Sequence, residues 1–318
     1  MNQVVSKRDP LKFYATLAFA FGFCCSLGGF VIYFGMAMKR KKGILTAGDT
    51  FVICLGGLMI LLAFYTIYRY FKNTPVIKVD AEKICVGDRT LYWSEVSSIE
   101  LSGKQAFQYL FGAEQMEGAR FSASDGSVLH MIDHMYSNSW QIKQFVQKVV
   151  VEKSTDLAIL PLSGTVKPEG NFSLEETFSG SPVISLRGFM FWPFFLCMAF
   201  LVIIGVGSNQ PGLLVFGIAM GLFWFALNAW LMHYFSVADE YIMVKNHLAF
   251  WKKSVYRFDA ITEIVFETRY KMPVCLRVIT KDFRSVLFPA GTLSTSTWLS
   301  LKDKLERSGV TVRNECVR

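Results

Sequence analysis

The chain has 318 residues, of which 52% are hydrophobic and 15% aromatic, and its formal net charge is +8. This length predicts about two domains, and the apolar content exceeds what a typical soluble domain carries. The seven cysteines include no Cys-x-x-Cys pair, which argues against a disulfide framework or a structural zinc site.

Four apolar blocks predict membrane-spanning helices, because a bilayer core requires about 20 consecutive apolar residues in a helix. Buried helices of a soluble core usually keep a polar stripe, which these blocks lack. The first block is too long for the apolar core of a cleavable signal peptide, so we interpret it as a retained helix. The predicted spans are about 13–37, 50–70, 189–206 and 213–234.

A polar, strand-rich segment follows each pair of spans, and the two segments share a phrase: "LYWSEVSSIEL" in the first and "YRFDAITEIVF" in the second. In both, an aromatic residue precedes a polar residue, and two branched aliphatic residues follow at matching positions. The matched residues are Trp93, Ser94, Val96 and Ile99 in the first copy, and Phe258, Asp259, Ile261 and Ile264 in the second. The sequence therefore predicts a duplicated module.

This module resembles the bacterial pleckstrin-homology-like (PH-like) family, in which a membrane hairpin precedes strands, the same short phrase and a terminal helix. The resemblance implies a bent antiparallel β-barrel capped by a C-terminal helix. The predicted fold class is thus an α+β membrane protein with two transmembrane helical hairpins, each followed by such a barrel. The predicted boundaries are 1–72 for the first hairpin, 73–152 for the first PH-like domain, 153–186 for a linker, 187–234 for the second hairpin and 235–318 for the second PH-like domain.

Four aromatic residues are expected to belong to the cores of the two domains. Trp140 and Trp298 each follow a Ser/Thr-rich cap, so we expect them to open helices whose apolar faces close a curved sheet. Trp93 and Phe258 are expected at inward-facing strand positions. The linker looks partly extended, with possible strand pairing through "NFSLEETF".

The sequence offers little sign of catalysis. His130 and His134 have the spacing of a helical metal pair, but their segment reads as strand and turn, where positions four apart are about 13 Å distant. We find no phosphate loop and no catalytic grouping of histidine with serine or cysteine. We therefore predict a protein that is not an enzyme, with no catalytic residue, metal, cofactor or nucleic-acid partner.

Three groups of residues are candidates for contact with lipids, partners or other helices. The first surrounds an "AFW" tip, whose aromatic residues would either enter a headgroup layer or pack on their own domain or on the membrane hairpin. The second is a basic run directly after the first span, which could hold anionic headgroups or merely mark the end of the helix. The third is a GxxxG step, which lets helices approach closely or arises by chance in a glycine-rich span. They comprise Lys245, His247, Phe250, Trp251, Lys252 and Lys253; Lys39, Arg40, Lys41 and Lys42; and Gly217 and Gly221.

The leading hypothesis is a multi-pass protein of the bacterial inner membrane that presents two PH-like domains as docking or scaffold modules. The positive-inside rule favours cytoplasmic domains, because six basic residues flank the spans on the domain side and four on the other. Membrane lipids and a membrane or cytoplasmic protein are the expected partners. The alternatives are an anionic-lipid sensor and an accessory subunit of a transport or envelope complex.

Overall fold

The computed structural model shows an α+β fold in which four long apolar helices accompany several antiparallel sheets. The chain divides into two compact units, Met1–Ile159 (unit 1) and Leu160–Arg318 (unit 2). The residues that the structure describes are 3–43, 46–109, 112–154, 175–269 and 272–317.

The two long helices of unit 1, α1 (Thr16–Lys42) and α2 (Ala47–Asn73), pack against each other, and both are long and apolar enough to cross a membrane. A π-helical turn, Pro10–Ala15, leads into α1. The helices approach closely at Gly28 and Gly56, where a Cβ atom on Gly56 would lie only 2.6 Å from the Gly28 carbonyl oxygen. Glycine is required here because any side chain would push the two backbones apart.

Two four-stranded sheets and a short helix complete unit 1. The first sheet has the antiparallel order β1 (Gln3–Val5), β2 (Ile77–Asp80), β3 (Lys83–Val86) and β4 (Arg89–Tyr92). In the second, β7 (Gly112–Ala123) pairs with β5 (Val96–Glu100), β6 (Lys104–Tyr109) and β8 (Val128–Ile132). Helix α3 (Ser139–Val146) follows β8 and ends in a π-helical turn, Gln147–Val151.

Unit 2 repeats this plan. Helices α4 (Leu186–Gly207) and α5 (Pro211–Leu231) are again long and apolar enough to cross a membrane. The first sheet has the order β9 (Glu176–Phe178), β10 (His233–Val237), β11 (Tyr241–Asn246) and β12 (Ser254–Arg257). The second is built from β13 (Ile261–Thr268), β14 (Val274–Thr280) and β15 (Ser285–Pro289). Helix α6 (Thr295–Arg307) follows β15. The last strand, β16 (Val312–Asn314), then pairs parallel with β13.

In each unit the helix pair is inserted between two neighbouring strands of one sheet. Strand β1 precedes α1 and pairs antiparallel with β2, which follows α2. Strand β9 precedes α4 and pairs in the same way with β10, which follows α5. The chain therefore enters and leaves each helix pair at one place in the sheet.

The repeated phrase falls on the turn that joins the two sheets of each unit. Trp93–Glu95 and Phe258–Ala260 form 3₁₀ turns. The Trp93 N–H donates to the Glu82 carbonyl oxygen at 3.0 Å, and the Phe258 N–H donates to the Glu240 carbonyl oxygen at 2.9 Å. The expectation of inward-facing strand positions for the two aromatics is therefore wrong, although both rings pack against the core of their unit.

The predicted closed barrels are not seen in the described ranges, where each unit has two open sheets. The 3₁₀ turn redirects the chain between the last strand of one sheet and the first of the next, so these two strands do not pair with each other.

The tryptophans of the two terminal helices, α3 and α6, differ in burial. Trp298 of α6 is 2% exposed and its ring lies 4.8 Å from Phe266 and 5.6 Å from Phe235, measured between centroids. Trp140 of α3 is only half-buried, and Ile142, Phe145 and Val146 of the same helix fill the core instead. The expectation of a core tryptophan thus fits α6 and fails for α3.

Candidate functional site

The loop between β11 and β12, residues 246–253, is fastened to the end of α5, and we name it the aromatic tip. The Asn246 side chain is buried; its Oδ1 accepts from the N–H groups of Leu248 at 2.9 Å and Ala249 at 2.8 Å. Its Nδ2 donates to the carbonyl oxygen of Ala229 in the last turn of α5. Asparagine suits this position because its short amide can hold a turn and still reach a neighbouring carbonyl.

Two aromatic rings project from the aromatic tip. Phe250 is 72% exposed and Trp251 is 62% exposed, and their ring centroids are 5.1 Å apart in an edge-to-face arrangement. Because Ala249 is buried and Asn246 is bonded to α5, the rings are displayed close to the end of an apolar helix. Large aromatic side chains are enriched at this level of a membrane protein, where the bilayer meets water.

Two exposed lysines follow the rings. The N–H of Lys252 donates to the Ala249 carbonyl oxygen at 2.9 Å, which closes the turn, and Lys253 is the next residue. In membrane proteins, lysines next to a bilayer surface attract anionic headgroups. The tip thus combines apolar and cationic groups on one short loop.

His247 packs within unit 2 and helps to hold the aromatic tip in place. Its N–H donates to the Met232 carbonyl oxygen at 3.0 Å, and its ring stacks on Tyr234 with centroids 4.5 Å apart. Burial lowers the pKa of His247, so its neutral form is favoured. Its expected role as a contact for anionic lipid is therefore weakened, because a neutral imidazole carries no charge for a headgroup.

Lys245 is engaged within unit 2. Its Nζ lies 2.8 Å from Glu175 Oε2, and the other oxygen of Glu175 accepts from the Tyr241 hydroxyl at 3.2 Å. Burial, and then Glu175, raise the pKa of Tyr241. Glu175 lies next to β9, inside the predicted linker 153–186, so the residues around Lys245 give no sign of this ion pair.

The equivalent turn of unit 1, which the structure describes in full, has no counterpart to the aromatic tip. The turn between β3 and β4 contains Gly87 and Asp88, and Gly87 has a φ of 60°, which favours glycine. The Gly87 N–H donates to the Val76 carbonyl oxygen at 2.9 Å. A turn of this length has no room for a projecting aromatic pair.

The basic run Lys39, Arg40, Lys41 and Lys42 forms the end of α1 by its backbone. Its side chains lie outside the described residues, so its predicted contact with headgroups stays a prediction.

The glycines of the GxxxG step face α4. A Cβ atom on Gly217 would lie 2.9 Å from Val202 Cγ2 and 3.1 Å from the Met198 carbonyl oxygen. One on Gly221 would lie 3.6 Å from Met198 Cβ, which is an ordinary contact. Gly217 is therefore the residue whose lack of a side chain matters for the approach of α4 and α5.

The two histidines considered for metal binding do not form a site in the described ranges. Within them, no group of three or more His, Cys, Asp or Glu side chains is placed to hold an ion. His130 Nδ1 lies 2.6 Å from Gln105 Oε1, and burial together with Arg120 lowers the pKa of His130. His134 lies in a 3₁₀ turn, Asp133–Met135, after β8.

Comparison of the chain with protein-family models, with curated proteins and with solved structures found no match in any of the three.

Proposed function

We propose that the chain is a non-enzymatic, multi-pass protein of the bacterial inner membrane whose two PH-like domains serve as docking modules at the cytoplasmic membrane surface. The observation that supports this proposal best is the insertion of each helix pair between neighbouring strands of a sheet. This double connection holds the sheet at a fixed height above the bilayer. A single flexible linker would leave that height undefined.

Further contacts fasten the strands to the helices in unit 1. The Ser6 N–H donates to the Ile77 carbonyl oxygen at 2.7 Å, and the Arg8 guanidinium donates to the Thr74 carbonyl oxygen at 2.9 and 3.0 Å. The same guanidinium lies 4.9 Å from the centroid of the Phe71 ring. These contacts join the chain before α1 to the chain after α2. They favour a rigid connection between the helix pair and the sheets of unit 1.

Co-purification from native membranes in mild detergent, followed by mass spectrometry, tests the docking proposal. The control protein retains the two helix pairs, residues 10–73 and 186–231, without the sheets. We expect a stoichiometric protein partner with the full chain and its loss with the control. Recovery of the full chain without a partner, or with the same partner as the control, would contradict docking through the β-units.

A second function, contact with anionic lipid, is favoured by one specific observation: Phe250 and Trp251 are exposed on a loop bonded to the end of α5. The test uses the full chain in nanodiscs that contain either an anionic or a zwitterionic lipid carrying a photoreactive headgroup. We expect cross-links at the aromatic tip, stronger with the anionic lipid, and their loss in Phe250→Ser/Trp251→Ser.

The matched control is Tyr92→Ser in unit 1, because Tyr92 is also an exposed aromatic residue but lies on β4. Its cross-links should equal those of the parent. Equal labelling of the tip in the double variant and the parent would remove the lipid-contact function.

A further inference from the structure

Unit 2 contains a cavity of about 330 Å³ beside the start of α6. Its wall includes the apolar side chains of Pro273, Val274, Trp298 and Val317, and its rim includes Thr295, which is exposed. This volume lies at the lower end of the range for small-molecule sites, about 300–1,000 Å³. The cavity is thus large enough for a short apolar chain.

The cavity lies next to the end of α5. Two of its lining residues, Ala290 and Gly291, are tied to that helix: Ala290 forms a β-bridge with Met232, and the Gly291 N–H donates to the Leu231 carbonyl oxygen at 2.9 Å. If α5 spans a membrane, the cavity is at the level of the lipid headgroups. This inference therefore rests on the proposed membrane location.

Arg187, in the first turn of α4, adds a positive charge at the same place. A Cβ atom on Gly291 would lie 3.3 Å from Pro273 Cγ and 3.4 Å from Arg187 Nε. Arg187 is half-buried, and its guanidinium has no ion-pair partner in the ranges that the structure describes. An arginine here can bind a phosphate or carboxylate through two parallel hydrogen bonds.

We propose that this cavity binds the apolar chain of an anionic amphiphile and that Arg187 holds its acidic group. Gly291 lines the cavity, and its lack of a side chain lets the Arg187 guanidinium lie close to it. Either an anionic phospholipid or a free fatty acid has the required chemistry, and the test separates these two sources.

The experiment uses the full chain in mild detergent, with phosphatidylglycerol, phosphatidylcholine or palmitate as the probe. Cys316 lines the cavity and serves as the reporter, in a protein whose other six cysteines are replaced by alanine. We expect phosphatidylglycerol, palmitate or both to slow alkylation of Cys316 and phosphatidylcholine to have little effect. Protection by phosphatidylglycerol alone identifies a phospholipid, and protection by palmitate alone a free fatty acid.

Two variants test the geometry. Gly291→Val narrows the space between the cavity and Arg187, and Arg187→Gln removes the charge; each should weaken binding of the anionic probe about tenfold or more. Thr295→Trp, which blocks the rim from an exposed position, replaces Gly291→Val if the valine variant does not fold. Lys302→Gln, on a half-exposed side chain of α6, is the control and should bind as the parent does.

An unchanged rate of Cys316 alkylation with both anionic probes would overturn the proposal, as would equal binding by the parent and the narrowed variant. If phosphatidylcholine protected Cys316 as well as the anionic probes do, and still did so in Arg187→Gln, the role of the arginine would be overturned. The Phe250→Ser/Trp251→Ser variant should keep the protection of Cys316. A failure of docking or of contact through the aromatic tip is therefore distinguishable from a failure here.

Discussion

The two units share a plan but brace their helix pairs with different hairpins. In unit 1 the hairpin of β6 and β7 reaches α2: Asn73 Nδ2 donates to the Gln108 carbonyl oxygen, and the rings of Tyr70 and Phe107 are 5.4 Å apart. In unit 2 the hairpin of β11 and β12 reaches α5 through Asn246. The two units thus place different hairpins against the second helix of their pair.

This difference changes what each unit displays. In unit 1 the aromatic residue of this hairpin, Phe107, is buried in the core and is only 1% exposed. The brace of unit 2 uses a buried asparagine and leaves Phe250 and Trp251 in the open. Unit 2 therefore exposes an aromatic pair at a turn where unit 1 has only Gly87 and Asp88.

The largest effect is expected from removal of the terminal-helix tryptophans. Trp298→Ala should destabilise unit 2 by about 3–5 kcal/mol, because a large buried ring leaves a cavity. Trp140→Ala should cost unit 1 clearly less, because that side chain is half-exposed. Chemical unfolding of the full chain in detergent, followed by proteolysis of each unit, measures the stability lost in both variants. Equal losses of stability in the two units would contradict the difference between α3 and α6.

Glycines in the helix pairs give the next comparison. Gly56→Val should destabilise the packing of α1 and α2 by about 1–3 kcal/mol, because its Cβ atom would collide with the backbone of α1. Gly57→Val is the matched control, since nothing lies within 4 Å of a Cβ atom there. Thermal unfolding in detergent checks the pair, and similar transition temperatures would show that the approach at Gly56 is not needed.

The two braces themselves can be weakened one at a time. Asn246→Ala leaves a buried carbonyl and two backbone N–H groups without partners, at a cost of about 1–3 kcal/mol. Asn73→Ala should cost less, because its hydrogen bond to Gln108 is exposed to water. Hydrogen exchange at residues 246–253 and 104–117 measures the local opening; equal protection in variant and parent at the aromatic tip would contradict its anchoring role.

The smallest effect concerns pH. Burial lowers the pKa of His247 and, as the main cause, that of His233, from an ordinary value of 6.5. Folding therefore favours the neutral rings, so this stability is present above about pH 6.5 and declines as the pH falls below it. His247→Gln should make the stability of unit 2 less dependent on pH between 7.5 and 5; an unchanged slope in thermal unfolding would contradict this cause.

The sequence predicted the elements whose signals are local. Long apolar blocks and helical spacing identified α1, α2, α4 and α5, and the repeated phrase marked two related units. For Phe250 and Trp251 it left open exposure on a tip or packing on their own domain, and both residues are exposed.

Other features depend on pairing between distant residues and have no local signal. Strand β1 is three residues long, and its partner β2 follows two long helices. The ion pair of Lys245 with Glu175 joins residues 70 positions apart. The 3₁₀ turns at Trp93–Glu95 and Phe258–Ala260 are only three residues long and lie between strands, so the sequence alone does not distinguish them from strand.

The most direct test of the account is the sidedness of the chain in sealed membrane vesicles. Single cysteines replace Ser127 and Asp239 in the β-units, Ala47 at the start of α2 and Ser208 just after α4, in a protein without its native cysteines. All four positions are exposed. We predict that an impermeant maleimide labels positions 127 and 239 from one side, and positions 47 and 208 only from the other. Labelling of position 47 or 208 from the same side as position 127 or 239 would contradict the proposed four-span arrangement.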